Sequence, residues 1–309
     1  MDKIPVGQTV ARAYSFAFKD FLKIIGVMWL PFAIMMAGTL VLATQINVFT
    51  AAITTKNYAA VTQVVQVLLP AYVVFAILVV MQFVGLTELA LGNRTGSPYF
   101  FFTLGKPLWR LIGAYLLVIL IFIAAIAVFI IGSAMIAALF GAMTGATNGA
   151  KPSGAAAIVM GLGAIIGVIA AYCAFLYGLV RQTFLLTPVV IAEEKIGLRR
   201  AWSLGRGNFW RMFTILLAII VPFIVLEMIF LFGFVWHGMP PVPPQGATKE
   251  QLAAWQAQNA ANMTSLQDHW YITLPLYLII SAIFYGYICG AQSFAYRALV
   301  PAEKAEDVF

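Results

Sequence analysis

Six stretches of this chain carry no charged side chain: Ile24–Thr55, Asn57–Thr87, Leu111–Ala150, Pro152–Val180, Met212–Leu226 and Tyr271–Tyr296. A helix crosses the hydrocarbon of a bilayer in about 20 residues. Barrel strands would alternate polar and apolar residues, and these runs do not. Six spanning helices are therefore expected, near 22–46, 63–91, 108–140, 155–187, 209–236 and 270–298. The composition agrees: 63% of residues are hydrophobic and 9% charged, against about 25% charged in a soluble domain. A water-facing surface cannot be built from so few charges, so most of the surface must face lipid. The expected fold class is an all-α integral membrane protein, read as a single polytopic domain over residues 1–309.

The charges that remain are unevenly placed. Lys3, Arg12, Lys19, Lys23, Arg94, Lys106, Arg110, Arg181, Lys195, Arg199, Arg200, Arg206, Arg211, Arg297 and Lys304 fall on one side of the expected topology, and only Lys56, Lys151 and Lys249 on the other. Positive charge stays cytoplasmic, so both termini are expected inside, in a bacterial inner membrane. Charged residues precede the first apolar run, which is too long for the core of a signal peptide. It is expected to remain as an anchor. Trp210 and Trp236 bracket the fifth span, roughly 39 Å apart along a straight helix. Trp109 and Trp270 sit at comparable ends of the third and sixth spans, as in an aromatic belt. Cys173 and Cys289 both fall in spans and read as small buried hydrophobes.

Three segments look alike. FAFKDFLKIIG begins at Phe16, FTLGKPLWRLIG at Phe102 and WSLGRGNFWRMF at Trp202. Each places aromatic and basic residues before a helix that leaves the cytoplasmic side. The expectation is three hairpins, each entered through a short interfacial elbow helix. In the first, over residues 5–20, Val10, Tyr14, Phe18, Phe21 and Ile25 recur at helical spacing. Arg12, Lys19 and Lys23 lie on other faces and reach headgroups. In the third, Pro188 ends the fourth span, residues 196–204 form the elbow, Gly205 and Gly207 turn the chain, and Asn208 caps the fifth span. Glu193 and Glu194 are candidates to pair with Arg199 or Arg200, although an exposed pair adds little.

The stretch PVVIAEEKIGLRRAWSLGRGNFWR, Pro188–Arg211, resembles the hallmark of a family of six-helix bacterial membrane proteins. That family groups the YciC-like proteins with the membrane domain fused to some glycerophosphodiester phosphodiesterases. The matching residues are Pro188, Glu193, Gly197, Leu198, Ala201, Trp202, Phe209, Trp210 and Arg211, and SFAFKDFLKIIGVMWLPF near the N-terminus also fits. The resemblance implies six helices and no transferable activity. Fused members carry a separate phosphodiesterase domain, for which no room is expected here.

Charges inside spans are costly and mark functional candidates. Glu88 and Arg181 lie at similar depth and are candidates for a mutual pair, as a clamp or a headgroup site. Glu227 lies deeper, five residues after Pro222, and reads first as a satisfied buried carboxyl. GAIIG, Gly163–Gly167, has the small-xxx-small spacing that lets helices approach. The outer loop over 237–269 contains a stiff MPPVPPQG segment and then a polar helix, with Thr248 and Gln251 as a capping box. It reads as a lid, a partner contact or a plain solvent-facing hairpin.

Catalysis is not expected. His237 and His269 offer two ligands, too few for a closed zinc site, and no nucleophile elbow, phosphate loop or carboxylate pair is present. No cofactor or metal is expected, and no nucleic-acid partner, because the aromatics sit at span ends. The leading function is a non-catalytic membrane protein that engages lipid, anionic lipid included, or a protein partner through its basic, aromatic elbows. The residues concerned are Arg199, Arg200, Trp202, Arg206, Trp210, Arg211, Lys19, Lys23, Lys106 and Arg110. The alternative is a small permease using Glu88, Arg181 and Glu227, with Pro31, Pro70, Pro222 and Pro275 as breaks in its helices.

Overall fold

The computed structural model describes residues 3–54, 57–94, 96–97, 99–143, 154–230, 248, 250–251, 253–255, 257–258 and 270–300. They are helical, with no strand among the described residues. The main helices are α1 (Val6–Lys19), α2 (Phe21–Thr54), α3 (Tyr58–Ala90), α4 (Lys106–Met143), α5 (Gly154–Thr183), α6 (Leu186–Ala192), α7 (Leu198–Leu204), α8 (Phe209–Phe230) and α9 (Trp270–Leu299). Among the described residues six stretches are long and apolar enough to cross a membrane: Phe21–Thr39, Tyr58–Ala90, Lys106–Ile136, Gly161–Ala192, Phe209–Ile229 and Leu274–Leu299. In hydrocarbon every backbone polar group needs an internal partner, and uninterrupted helices supply it. The all-helical, six-span class expected from the uncharged runs is the class observed.

Several local details differ from expectation. The fourth span breaks at Phe184–Leu185, and Pro188 lies within α6 beyond the break. Proline has no N–H for the carbonyl four residues back and crowds it, so its effect falls one turn upstream, at Phe184. Pro31, Pro70, Pro222 and Pro275 all lie inside continuous helices rather than at breaks. Short helices precede the first and fifth spans, as α1 and α7; before the third no helix lies among the described residues, where 100–104 are irregular and α4 starts at Lys106. The capping box is present, with the Gln251 amide donating to Thr248 Oγ1 at 3.3 Å and the Thr248 amide donating to Gln251 Oε1 at 2.9 Å. His237, His269, Trp236, Lys56, Lys151, Lys249 and most of the outer loop lie outside the described residues.

By contacts the chain divides into two compact units. One comprises residues 5–104 and 214–295, the other residues 1–4, 105–213 and 296–309.

The first unit is built on α2 and α3, which pack together extensively. Its core joins Phe16, Ile24, Val27, Met28, Leu86, Ala90, Ala282 and Cys289. The buried face of α1 is Thr9, Ala13, Phe16 and Ala17; of the stripe at helical spacing, Phe18 is 62% exposed while Phe21 and Ile25 pack against the core. The reason is the surface it meets. A Cβ on Gly286 would lie 2.9 Å from Ile24 Cδ1 and 3.5 Å from Ala17 Cβ, and one on Gly290 would lie 3.0 Å from Phe16 Cδ1 and 3.5 Å from Ala13 Cα. Gly286 and Gly290 thus form a small-xxx-small notch on α9 that admits the alanine face of α1. The Tyr14 hydroxyl donates to the Ala218 carbonyl at 3.0 Å and its ring lies 4.3 Å from that of Tyr287. The motif expected to serve this purpose does not: a Cβ on Gly163 or Gly167 meets nothing within 4 Å.

In the second unit α4 packs on α5 and α6, while α7 packs on α5 and α6. The α6 segment is sealed, with Leu186 through Ile191 buried, and Thr187 Oγ1 lies 2.8 Å from the Tyr115 hydroxyl. Further along α4 and α5 the large apolar side chains turn outward. Ile123, Val128, Ile130 and Ile131 on α4, and Ile165, Ile166 and Ile169 on α5, are all exposed. Contiguous apolar surface of this extent needs a nonaqueous partner, which a bilayer provides.

Candidate functional site

The loop from α6 into α8 gathers most of the charge of the second unit. The chain leaves α6 at Glu193 and turns at Glu194, which has φ 51°. This left-handed conformation costs a non-glycine residue roughly 1–2 kcal/mol. It sends the two adjacent carboxylates to different partners. Glu193 Oε1 accepts from Arg200 Nε at 3.0 Å and from the Tyr296 hydroxyl at 3.2 Å. Glu194 Oε2 accepts from Arg110 Nη1 at 2.9 Å. The expected pairing of Glu193 and Glu194 with Arg199 or Arg200 holds for Arg200 alone, because Arg110 on α4 takes the second carboxylate. Gly197 lies so close to Val189 that a Cβ would collide with it, which folds the loop back over α6. Gly207, with φ 77°, makes the turn into α8.

Beyond that turn the loop is tied to the start of the chain. Asn208, 2% exposed, accepts from the Ile4 amide through Oδ1 at 3.1 Å, and Arg211 Nη1 donates to the Ile4 carbonyl at 2.7 Å. Ile4 is itself fully buried. No local pattern marks this strap, which spans 204 and 207 residues. Replacing Asn208 with alanine removes the hydrogen bond to the Ile4 amide, worth about 1 kcal/mol. Hydrogen exchange at the Ile4 amide is expected to speed up about fivefold, and unchanged exchange would show that the strap is not formed.

Arg181, two residues before the end of α5, is 9% exposed. Its Nε donates to the Trp202 carbonyl at 3.3 Å and its Nη1 to the Tyr177 hydroxyl at 2.7 Å. The guanidinium carbon stands 4.0 Å from the centre of the Trp202 ring and 5.6 Å from that of Tyr177. Tyr177 in turn packs on Phe209, with ring centres 4.8 Å apart. These neutral groups all lie within the same unit as Arg181.

The remaining candidates divide into engaged and free side chains. Arg110, Arg200 and Arg211 are engaged as described. Arg199, Arg206 and Lys106 are exposed and have no side-chain partner among the described residues. Trp210 is 73% exposed and packs on Phe209 and Phe213, while Trp202 is 38% exposed. In the first unit, Lys19 is exposed and Lys23 pairs with Asp20 at 2.7 Å, an exposed i,i+3 contact of small value. Glu88 is half-buried and its charged neighbour is Arg94, whose guanidinium donates to the Ser97 and Phe100 carbonyls. Burial lowers the pKa of Arg94 and Glu88 opposes that shift. Glu227, expected to be buried, is exposed on α8. Cys173 is also exposed, and only Cys289 is the buried small hydrophobe expected of both. Among the described residues no three His, Cys, Asp or Glu side chains are placed to hold a metal.

No family model, curated protein or solved structure matches the chain.

Proposed function

We propose that the protein is a non-catalytic, multi-pass protein of a bacterial inner membrane, with both termini cytoplasmic, that engages anionic lipid through the loop from Pro188 to Arg211. The observation that carries this reading is the division of labour in the loop. Glu193, Glu194, Arg200 and Arg211 lock its shape internally, while Arg199 and Arg206 are exposed and without a side-chain partner among the described residues. The exposed Trp210, Trp202 and Ile196 accompany them. Bases beside aromatics suit the boundary where headgroups meet hydrocarbon. In this reading α1 and α7 are interfacial elbows, and Lys19, Lys23 and Lys106 add to the basic surface. The resemblance to the YciC-like family belongs to the same proposal.

The test is lipidomics of the full protein extracted in polymer-bounded native discs. Anionic phospholipid is expected to be enriched over the bulk membrane. Each juxtamembrane base contributes on the order of 1 kcal/mol, so Arg199→Ala combined with Arg206→Ala should cut the enrichment about tenfold or more. Discs with bulk composition, indifferent to both changes, would refute the reading.

The permease reading has one observation in its favour. In the first unit Gln82 Nε2 on α3, with Gln292 Oε1 and Ser293 Oγ on α9, are buried and lack hydrogen-bond partners. Transport through Glu227 requires that Glu227→Gln abolish flux. Lipid engagement predicts that this variant keeps the wild-type lipid complement.

A further inference from the structure

We infer that Arg181 and Trp202 form a discrete receptor for one phosphate group, set at the end of α5 behind the basic loop. The inference deepens the lipid reading and rests on it for the source of the phosphate.

A buried guanidinium normally has a carboxylate partner, and among the described residues Arg181 forms no ion pair. Its partners are two neutral oxygens and two aromatic rings. The negative end of the α5 dipole offsets part of the charge. It supplies no acceptor to the outer edge of the guanidinium.

Geometry adds the rest. Trp202 covers one face of the guanidinium plane at 4.0 Å. The Nε and one Nη1 hydrogen are spent on the Trp202 carbonyl and the Tyr177 hydroxyl. The two Nη2 hydrogens and the second Nη1 hydrogen have no acceptor among the described residues. Nη2 is not one of the sealed polar atoms, so this edge can be reached. A guanidinium held by its face and inner edge, with its outer edge free, matches the paired oxygens of a phosphate. A Cβ on Gly205 would lie 3.1 Å from Arg181 Cγ and 3.2 Å from the Arg181 carbonyl oxygen, so Gly205 fits closely against the stem. Arg199 stands three residues before Trp202 on α7, on the same face, and adds a second positive charge at the approach.

The experiment is native mass spectrometry of the full protein in detergent, titrated separately with phosphatidylglycerol, with phosphatidic acid and with inorganic phosphate. One retained phospholipid per chain is expected. Hydrogen bonds to charged groups are the strong ones, so Arg181→Gln should weaken retention about tenfold or more. Arg181→Lys keeps the charge without the paired edge or the stack and should fall between the two. Gly205→Ala, which presses on the stem without altering charge, should weaken retention in a chain that still melts cooperatively. Binding of inorganic phosphate that Arg181→Gln removes would support the site with a soluble anion as its occupant. Binding of phospholipid alone would support a headgroup. Wild-type retention in Arg181→Gln overturns the inference. If Arg199→Ala with Arg206→Ala removes general anionic enrichment while Arg181→Gln retains its lipid, the discrete site fails and the lipid reading stands. The converse pattern sinks the surface reading and keeps the site.

Discussion

Replacing Gly290 with leucine is expected to drive α1 off the first unit and lower the thermal stability of the protein by roughly 2–5 °C, a shift that corresponds to about 1–3 kcal/mol of overpacking. The magnitude follows from what lies opposite. Even a single Cβ at Gly290 meets Phe16 Cδ1 at 3.0 Å and the Ala13 backbone at 3.5 Å. The Phe16 ring can shift slightly, but the α1 backbone can move only as a helix. Tyr14 would then lose its hydrogen bond to the Ala218 carbonyl. Gly167→Leu is the matched control. It makes the same change in a helix facing open space, and its effect should stay within about 0.5 kcal/mol. Melting of Gly290→Leu at the wild-type temperature would show that α1 is not seated in the notch.

Glu193→Ala is expected to cost about 1–3 kcal/mol, mostly through Tyr296 rather than Arg200. The ion pair alone suggests the reverse. The Arg200 side chain is 47% exposed, however, and can turn to water once its partner is lost. An ion pair of that exposure contributes no more than about 1 kcal/mol. Tyr296 is 6% exposed, and its hydroxyl has no such escape. A double-mutant cycle between Glu193→Ala and Tyr296→Phe should give a coupling of about 1 kcal/mol, and the cycle with Arg200→Ala about half that or less. A larger coupling to Arg200 would mean that the loop is held by charge rather than by the buried hydroxyl.

The six spans were legible because the bilayer turns a global requirement into a local one. Each segment must satisfy its own backbone, so an uncharged run of sufficient length is already a helix. Which faces of the helices touch was not legible. Gly163–Gly167 and Gly286–Gly290 have the same spacing, yet only the second meets another helix. Nor was the packed face of α1 legible: its small residues Ala13 and Ala17 turn inward because a glycine notch faces them. The loop from Pro188 to Arg211 stood out by its charge density, and the Glu193–Arg200 pair lay within reach at seven residues. Arg110, Tyr296 and Ile4 reach the loop from 84, 103 and 207 residues away, and no local pattern marks such distances. Arg181 was recognisable as a costly charge, but nothing local marked its contact with an aromatic residue 21 positions on.

The central claim, that the loop from Pro188 to Arg211 meets lipid, is tested most directly by photocrosslinking in native membranes. The photoreactive residue p-benzoylphenylalanine would stand in place of Ile196, which is 50% exposed on the loop and holds none of its hydrogen bonds. Irradiation followed by mass spectrometry of the loop peptide should give an adduct with the mass of a phospholipid, anionic species over-represented. A loop that yields only a protein adduct, or none, would contradict the account and identify the surface as a partner's contact or as bare of lipid.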